Sequence, residues 1–188
     1  IEEIASDEAK LKESPGDAVQ YIQLALRCQQ IGRLDRAMAH LRRALQLEPK
    51  SARAHYLLGD ALAEAGQFDE ALPQFQEANR LEPDQAEFLS GLAQILSRHP
   101  NPAARDPAQA IRLATRAVEL TQQRDPLVLE TLAIAYAADG QSEKAISFSQ
   151  AAVTAASALK ETELAGQIQK RLEAFKQSAG GSGKDARP

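Results

Sequence analysis

Small side chains return along this chain at helical spacing, and the whole pattern then returns one unit later. Gly32, Ala37, Ala44 and Pro49 reappear 34 residues on as Gly66, Ala71, Ala78 and Pro83, and the words around them match, GRLDRAMAHLRRALQLEP against GQFDEALPQFQEANRLEP. A fixed period of this length predicts helix–turn–helix units stacked in series, each burying its apolar stripe against a neighbour. Phased to end just after each proline, the units run 18–51, 52–85, 86–125 and 126–159. Ala25, Gly59, Ala93 and Ala133 are the small positions of the first helices. Ala37, Ala71, Ala110 and Ala145, then Ala44, Ala78, Ala117 and Ala152, are those of the second. Leu24, Leu58, Leu92 and Leu132 are the bulky partners, with Cys28, Leu62, Leu96 and Tyr136 one turn later. Small against large lets two antiparallel helices interlock, so these positions are the expected core.

The punctuation between the stripes supports the same units. Asp35 and Asp69 are expected just before the second helices of their units, where a carboxylate accepts orphan N–H groups. Gly32, Gly66 and Gly140 fall where first helices end, a place for a left-handed residue. Asp106-Pro107 and Asp125-Pro126 read as a cap followed by a first-turn proline. Pro73 is tolerated within the first turn of its helix and would kink the helix if deeper. The third unit carries five extra residues in its inter-helix turn, within SRHPNPAARDPAQA, which predicts a stiffened surface loop without a ligand. At the ends, residues 1–17 hold an N-terminal helix over 2–13 or the remnant of a preceding unit. Leu164, Ala165, Ile168, Leu172 and Phe175 form the stripe of a capping helix over 160–177, and 178–188 reads as a flexible tail.

Composition narrows the class. Apolar residues make up 44% and aromatic residues only 4%, with no Trp, which suits closely packed helices better than a sandwich or barrel. The 22 basic and 26 acidic side chains are intermixed and leave a net charge of -4, so no basic face offers itself to nucleic acid. No apolar run approaches the roughly 20 residues that insert directly into a membrane, and no signal segment is present. The chain opens on Ile1, which reads as a piece or processed form of a longer protein and leaves the compartment, cytoplasmic or periplasmic, open. A single cysteine, Cys28, excludes an internal disulfide framework.

No catalytic constellation, metal site or cofactor site is expected. His40, His55 and His99 include no pair at the i, i+4 spacing of a helical metal site. His55 reads as a packing residue, His40 as solvated beside Arg42 and Arg43, and His99 as part of the long loop. Cys28 takes a core position and is expected to be a buried, inert thiol. The stretch SAGGSGK lacks both the spacing and the preceding strand of a phosphate-binding loop.

His55, Leu58, Gly59, Leu62, Ala71, Phe75, Ala78 and Pro83 together resemble the tetratricopeptide-repeat signature, and unit one keeps it with Tyr21, Ala25 and Leu41 substituted. The resemblance covers about 18–159 and is of bacterial type. The last two units are similar to the C-terminal repeats of large bacterial multi-domain members, and the opening to members acting in cytochrome-c maturation. The resemblance implies an all-α right-handed α-α superhelix, a solenoid of four repeats with a helix at each end. It implies a scaffold rather than an enzyme, binding a protein or peptide in a concave groove lined by the first helices. The implied lining is Val19, Ile22, Leu26 and Gln29, then Arg53, Tyr56, Asp60 and Ala63. It continues with Glu87, Ser90, Gln94 and Ser97, then Leu127, Glu130, Ile134 and Ala137. Ile22, Leu26 and Tyr56 have no repeat-packing role in this phasing and are expected to be exposed anchors. Chaperone-docking members hold a carboxylate with a Lys, Asn and Arg clamp; Ile22, Leu26, Tyr56, Asp60, Ser90 and Gln94 offer no such cationic set. A ligand with apolar anchors and a basic residue suits these positions better. Self-association as a homo-oligomer, or packing on another domain of the same polypeptide, is the alternative.

Overall fold

The computed structural model describes residues 17–181, so the expected helix over 2–13 lies outside the described residues, as do the last residues of the tail. The described residues contain α-helices, one 3-10 turn and no strand. The chain divides into two compact units, Ile1–Pro83 and Asp84–Pro188. The first holds α1 (Ala18–Gln30), α2 (Leu34–Leu47), α3 (Ala52–Glu64) and α4 (Phe68–Leu81). The second holds α5 (Ala86–Arg98), the 3-10 turn Pro102–Ala104, α6 (Pro107–Leu120), α7 (Pro126–Ala138), α8 (Ser142–Ala158) and α9 (Thr162–Gly181). Within the units α1 packs on α2, α3 on α4, α5 on α6 and α7 on α8.

The cores of these hairpins are built from the recurring small residues. Ala37, Ala71, Ala110, Ala145, Ala44, Ala78, Ala117 and Ala152 are all at 0% exposure. Ala25, Ala93 and Ala133 are as deeply buried on the first helices. Gly59 shows why one of these positions lacks a side chain: a Cβ there would sit 3.2 Å from three ring carbons of Phe75. Tyr136 departs from the expected core, being half-buried and stacked on Phe148 with ring centroids 5.5 Å apart.

Helix starts fall into two kinds. Asp17, Ser51, Asp106 and Asp125 cap α1, α3, α6 and α7 with side-chain oxygens, Asp106 accepting from Gln109 N at 2.8 Å. The second helices α2, α4 and α8 start from Arg33, Gln67 and Gln141 with no side-chain cap. This corrects the capping role expected of Asp35 and Asp69. Each is the second residue of its helix, inside the first turn, where its charge meets the helix dipole but its side chain does not cap. Pro73 is the sixth residue of α4, beyond the first turn, and the helix continues to Leu81.

The turns inside the hairpins follow one rule. Gly32, Gly66 and Gly140 have φ of 70°, 77° and 77°, and the next residue's N–H donates back to Cys28, Leu62 and Tyr136 carbonyls at 2.8–2.9 Å. In the third hairpin the Leu96 carbonyl receives the same bond, from Asp106 N at 3.1 Å. Leu96 aligns with Cys28, Leu62 and Tyr136, so the extra residues leave the hairpin closure intact and form a surface excursion. Lys160 takes the left-handed position after α8, with φ 62°, and Gln122 and Gln123 after α6, with φ 53° and 59°.

Helix α9 packs against α8 through Ile168 and Leu172, both at 0% exposure, with Leu164, Ala165 and Phe175 half-buried beside them. It begins at Thr162 and continues through Ser178 to Gly181, residues that the sequence pattern assigned to the tail.

Candidate partner-docking faces

In the first unit the candidate residues occupy one stripe on α1 and one on α3. Val19, Ile22, Leu26 and Gln29 follow helical spacing on α1, as do Arg53, Tyr56 and Asp60 on α3. One side chain joins the stripes: Gln29 Nε2 donates to Asp60 Oδ2 at 2.7 Å and to Glu64 Oε2 at 3.2 Å. Glu64, one turn beyond Asp60, was not among the expected residues, and its spacing to Asp60 was the available signal. Val19 is 54% exposed, whereas Ile22, Leu26 and Tyr56 are half-buried.

Ile22 and Tyr56 therefore correct an expectation. Ile22 packs against the cluster of Ala18, Tyr21, Ala44 and Ala54. Tyr56 meets Phe75 edge-on with centroids 5.7 Å apart, and the Arg53 guanidinium stands 5.6 Å over the tyrosine ring. Both residues support the hairpins with part of their surface and present the rest.

The second unit treats its candidates differently. Ser90 is 7% exposed and donates to Thr131 Oγ1 at 2.9 Å. Gln94 Nε2 donates to the same oxygen at 2.9 Å, and Thr131 donates in turn to the Leu127 carbonyl. Ser97 is also buried and donates to the Ala93 carbonyl. Glu130, only 7% exposed, lies 3.0 Å from Arg171 Nη1 of α9. Burial pushes its carboxyl above the ordinary range, opposed by the charges of Arg171 and Arg98. So Ser90, Ser97 and Glu130 are committed inside the unit, a correction to their place on an open groove. Glu87 and Leu127 remain exposed, Leu127 at 52%, and Ile134 and Ala137 are half-buried. The partners of Ser90 and Glu130 lie 41 residues away, beyond any local pattern.

The remaining chemistry-bearing side chains are partly or fully buried. Cys28 is at 0% exposure. His55 is half-buried with its ring nitrogens 2.8 Å from Gln74 Oε1 and 3.1 Å from the Pro49 carbonyl. His40 is half-buried with its ring centroid 6.2 Å from that of Tyr21, not fully solvated as expected. His99 is 2% exposed, accepts at Nδ1 from Asn101 N at 3.2 Å, and its carbonyl accepts from Arg105 Nε at 2.6 Å. The long loop is thus folded around a buried ring. Among the described residues no three His, Cys, Asp or Glu side chains gather as a metal site, and no helix is long and apolar enough to cross a membrane.

Comparison with known proteins adds likenesses of sequence and of fold. A tetratricopeptide-repeat family model matches residues 30–97. No curated protein matches the chain. Among solved structures, TTC0263, a thermophilic tetratricopeptide-repeat protein of Thermus thermophilus, is similar with a TM-score of 0.69 at 19% identity, over 90% of this chain and 88% of that one. MamA is similar with a TM-score of 0.67 at 19% identity, over 84% and 89%. YrrB, described as a tetratricopeptide-repeat protein with an unusual peptide-binding site, is similar with a TM-score of 0.63 at 22% identity, over 91% and 92%. These likenesses share the all-α superhelical fold class. The repeat signature is matched over residues 30–97, and the likeness in fold extends well past that match.

Proposed function

We propose that the chain is a protein-interaction module that docks a peptide or protein segment on the faces of its first helices and carries out no catalytic step. One observation carries this reading. Val19, Ile22 and Leu26 on α1 and Tyr56 on α3 present apolar surface beside a polar fastening, Gln29 to Asp60 and Glu64. Apolar and aromatic groups rimmed by fixed polar ones are what a docking surface needs for affinity and for register. The description of YrrB as having a peptide-binding site supports the same use of the fold. Assembly or adaptor work within a larger protein or complex follows from such a role.

The test is a random-peptide selection on the wild-type protein, with affinities then measured by titration calorimetry against Val19→Asp and Leu26→Gln. Val19 is over half exposed, so its change leaves the hairpin core intact. Affinity should fall by roughly tenfold or more in the double variant. Peptides that bind both proteins equally would refute the reading. Light scattering after size exclusion separates the alternative: a homo-oligomer that Val19→Asp dissolves would make this face a self-association surface.

A further inference from the structure

We infer that α9 exchanges between two copies of this chain: α8 and α9 of each copy join as one helix, and α9 docks on α8 of the other copy. The observations lie at the turn between these helices and are independent of the faces on α1 and α3. Leu159, Lys160 and Glu161 join α8 to α9. Lys160 stands at φ 62°, a left-handed conformation that is costly for an L side chain. Gly32, Gly66 and Gly140 take the same conformation in their own turns without that cost.

The local sequence favours the open form. From Ala155 to Ala165 it reads AASALKETELA, mostly strong helix formers, with neither glycine nor proline. Each other turn between the described helices holds a glycine or a proline or, after α6, runs directly into Pro126. The closed turn is held by bonds from Lys160 N to the Ser157 carbonyl at 3.1 Å and from Glu161 N to the Ala156 carbonyl at 2.9 Å. A continuous helix replaces both with its own ladder. Local preference and closed packing thus conflict at one short hinge, the condition that invites exchange.

What α9 buries is a set of contacts that a second copy offers unchanged. Ile168 and Leu172 are at 0% exposure in the packing on α8, and Arg171 reaches Glu130 of α7 at 3.0 Å. The short turn makes α8 and α9 antiparallel neighbours. Opened at Lys160, residues 142–181 form one helix about 60 Å long. Two such helices lie side by side in opposite directions, each α9 on the other copy's α8, and the same contacts form between chains. The hinges then meet at the twofold axis, where Leu159, 56% exposed in the closed chain, comes next to its counterpart. Exchange relieves the left-handed residue at both hinges and is opposed by the entropy of association.

Pulsed electron paramagnetic resonance on the full chain tests this. Spin labels go on Glu143→Cys, at the start of α8, and Lys176→Cys, near the end of α9, both exposed positions. Cys28, at 0% exposure, is out of the label's reach. Doubly labelled chains are mixed with excess unlabelled protein, so that each dimer carries one labelled chain. The mixture is refolded from urea at about 0.5 mM and separated by size exclusion with light scattering. In the closed monomer the two labels face each other across one hairpin, under about 25 Å apart. In the exchanged dimer they lie about 50 Å apart along one helix. A dimer fraction with the long distance is expected. Lys160→Gly removes about fivefold at each hinge, so the dimer's association constant should fall about 25-fold. No dimer, a dimer that keeps the short distance, or a dimer indifferent to Lys160→Gly would overturn the inference. The docking reading is untouched by any of these results, because Val19 and Leu26 test it separately.

Discussion

Gly59 and Phe75 form a size-matched pair whose energetics can be measured directly. One period earlier the same two positions hold Ala25 and Leu41, both buried. Gly59→Ala removes a helix-interior glycine, which by itself stabilises by about 1 kcal/mol. The new methyl would meet three carbons of the Phe75 ring at 3.2 Å, so the ring must yield by a few tenths of an ångström. Phe75 is 3% exposed and braced by Tyr56, and strain of this kind costs about 1–3 kcal/mol. The single variant should therefore lose about 1 kcal/mol. In a Phe75→Leu background the obstruction is gone, and the same change should gain about 1 kcal/mol. The double-mutant cycle then yields a coupling of about 2 kcal/mol. Urea unfolding of all four proteins, followed by far-ultraviolet circular dichroism, measures it through the shift in midpoint at constant slope. A Gly59→Ala effect that is equal in both backgrounds would refute the size-matching argument.

Three single sites offer further tests. Ser149 is fully buried with no partner for its hydroxyl, at the position of Leu41 and Phe75, so Ser149→Ala should stabilise by about 1 kcal/mol in the same urea assay. Lys160 holds the left-handed position that Gly32, Gly66 and Gly140 hold elsewhere, so Lys160→Gly should raise the melting temperature, by an amount equivalent to about 1 kcal/mol. Glu130 has its carboxyl raised by burial, so the folded protein binds its proton more tightly than the unfolded chain does. That contribution is fully present below the ordinary value of 4.5 and is lost as pH rises through the raised one. Between these limits wild-type stability should fall with rising pH relative to Glu130→Gln; a pH-independent difference between the two would contradict the burial account.

The parts of this molecule legible in its sequence are those set by local period. Ala71 and Ala78 repeat Ala37 and Ala44 because every hairpin needs the same close approach, and Gly66 repeats Gly32 because every hairpin turn needs the same left-handed residue. Helix starts were less legible. Asp69 carries the chemistry of a cap, yet the Schellman-type closure through Gly66 and Gln67 starts the helix two residues earlier than that role requires. The faces of the first helices were legible as stripes but not as surfaces. Exposure depends on partners far along the chain: Thr131 seals Ser90, Arg171 covers Glu130, and Phe75 supports Tyr56. None of these pairs has a local spacing that announces it. The insertion near His99 was visible as extra length, while its order around a buried ring depends on Arg105 and Asn101 folding back.

The docking face on α1 and α3 is tested most directly by nuclear magnetic resonance. A selected peptide would be titrated into the isotopically labelled protein and the backbone amide shifts mapped. The account predicts that the largest shifts cluster at Val19, Ile22, Leu26, Arg53, Tyr56 and Asp60. Shifts centred on α2 and α4, or on the loop around His99, with those six unmoved, would contradict it.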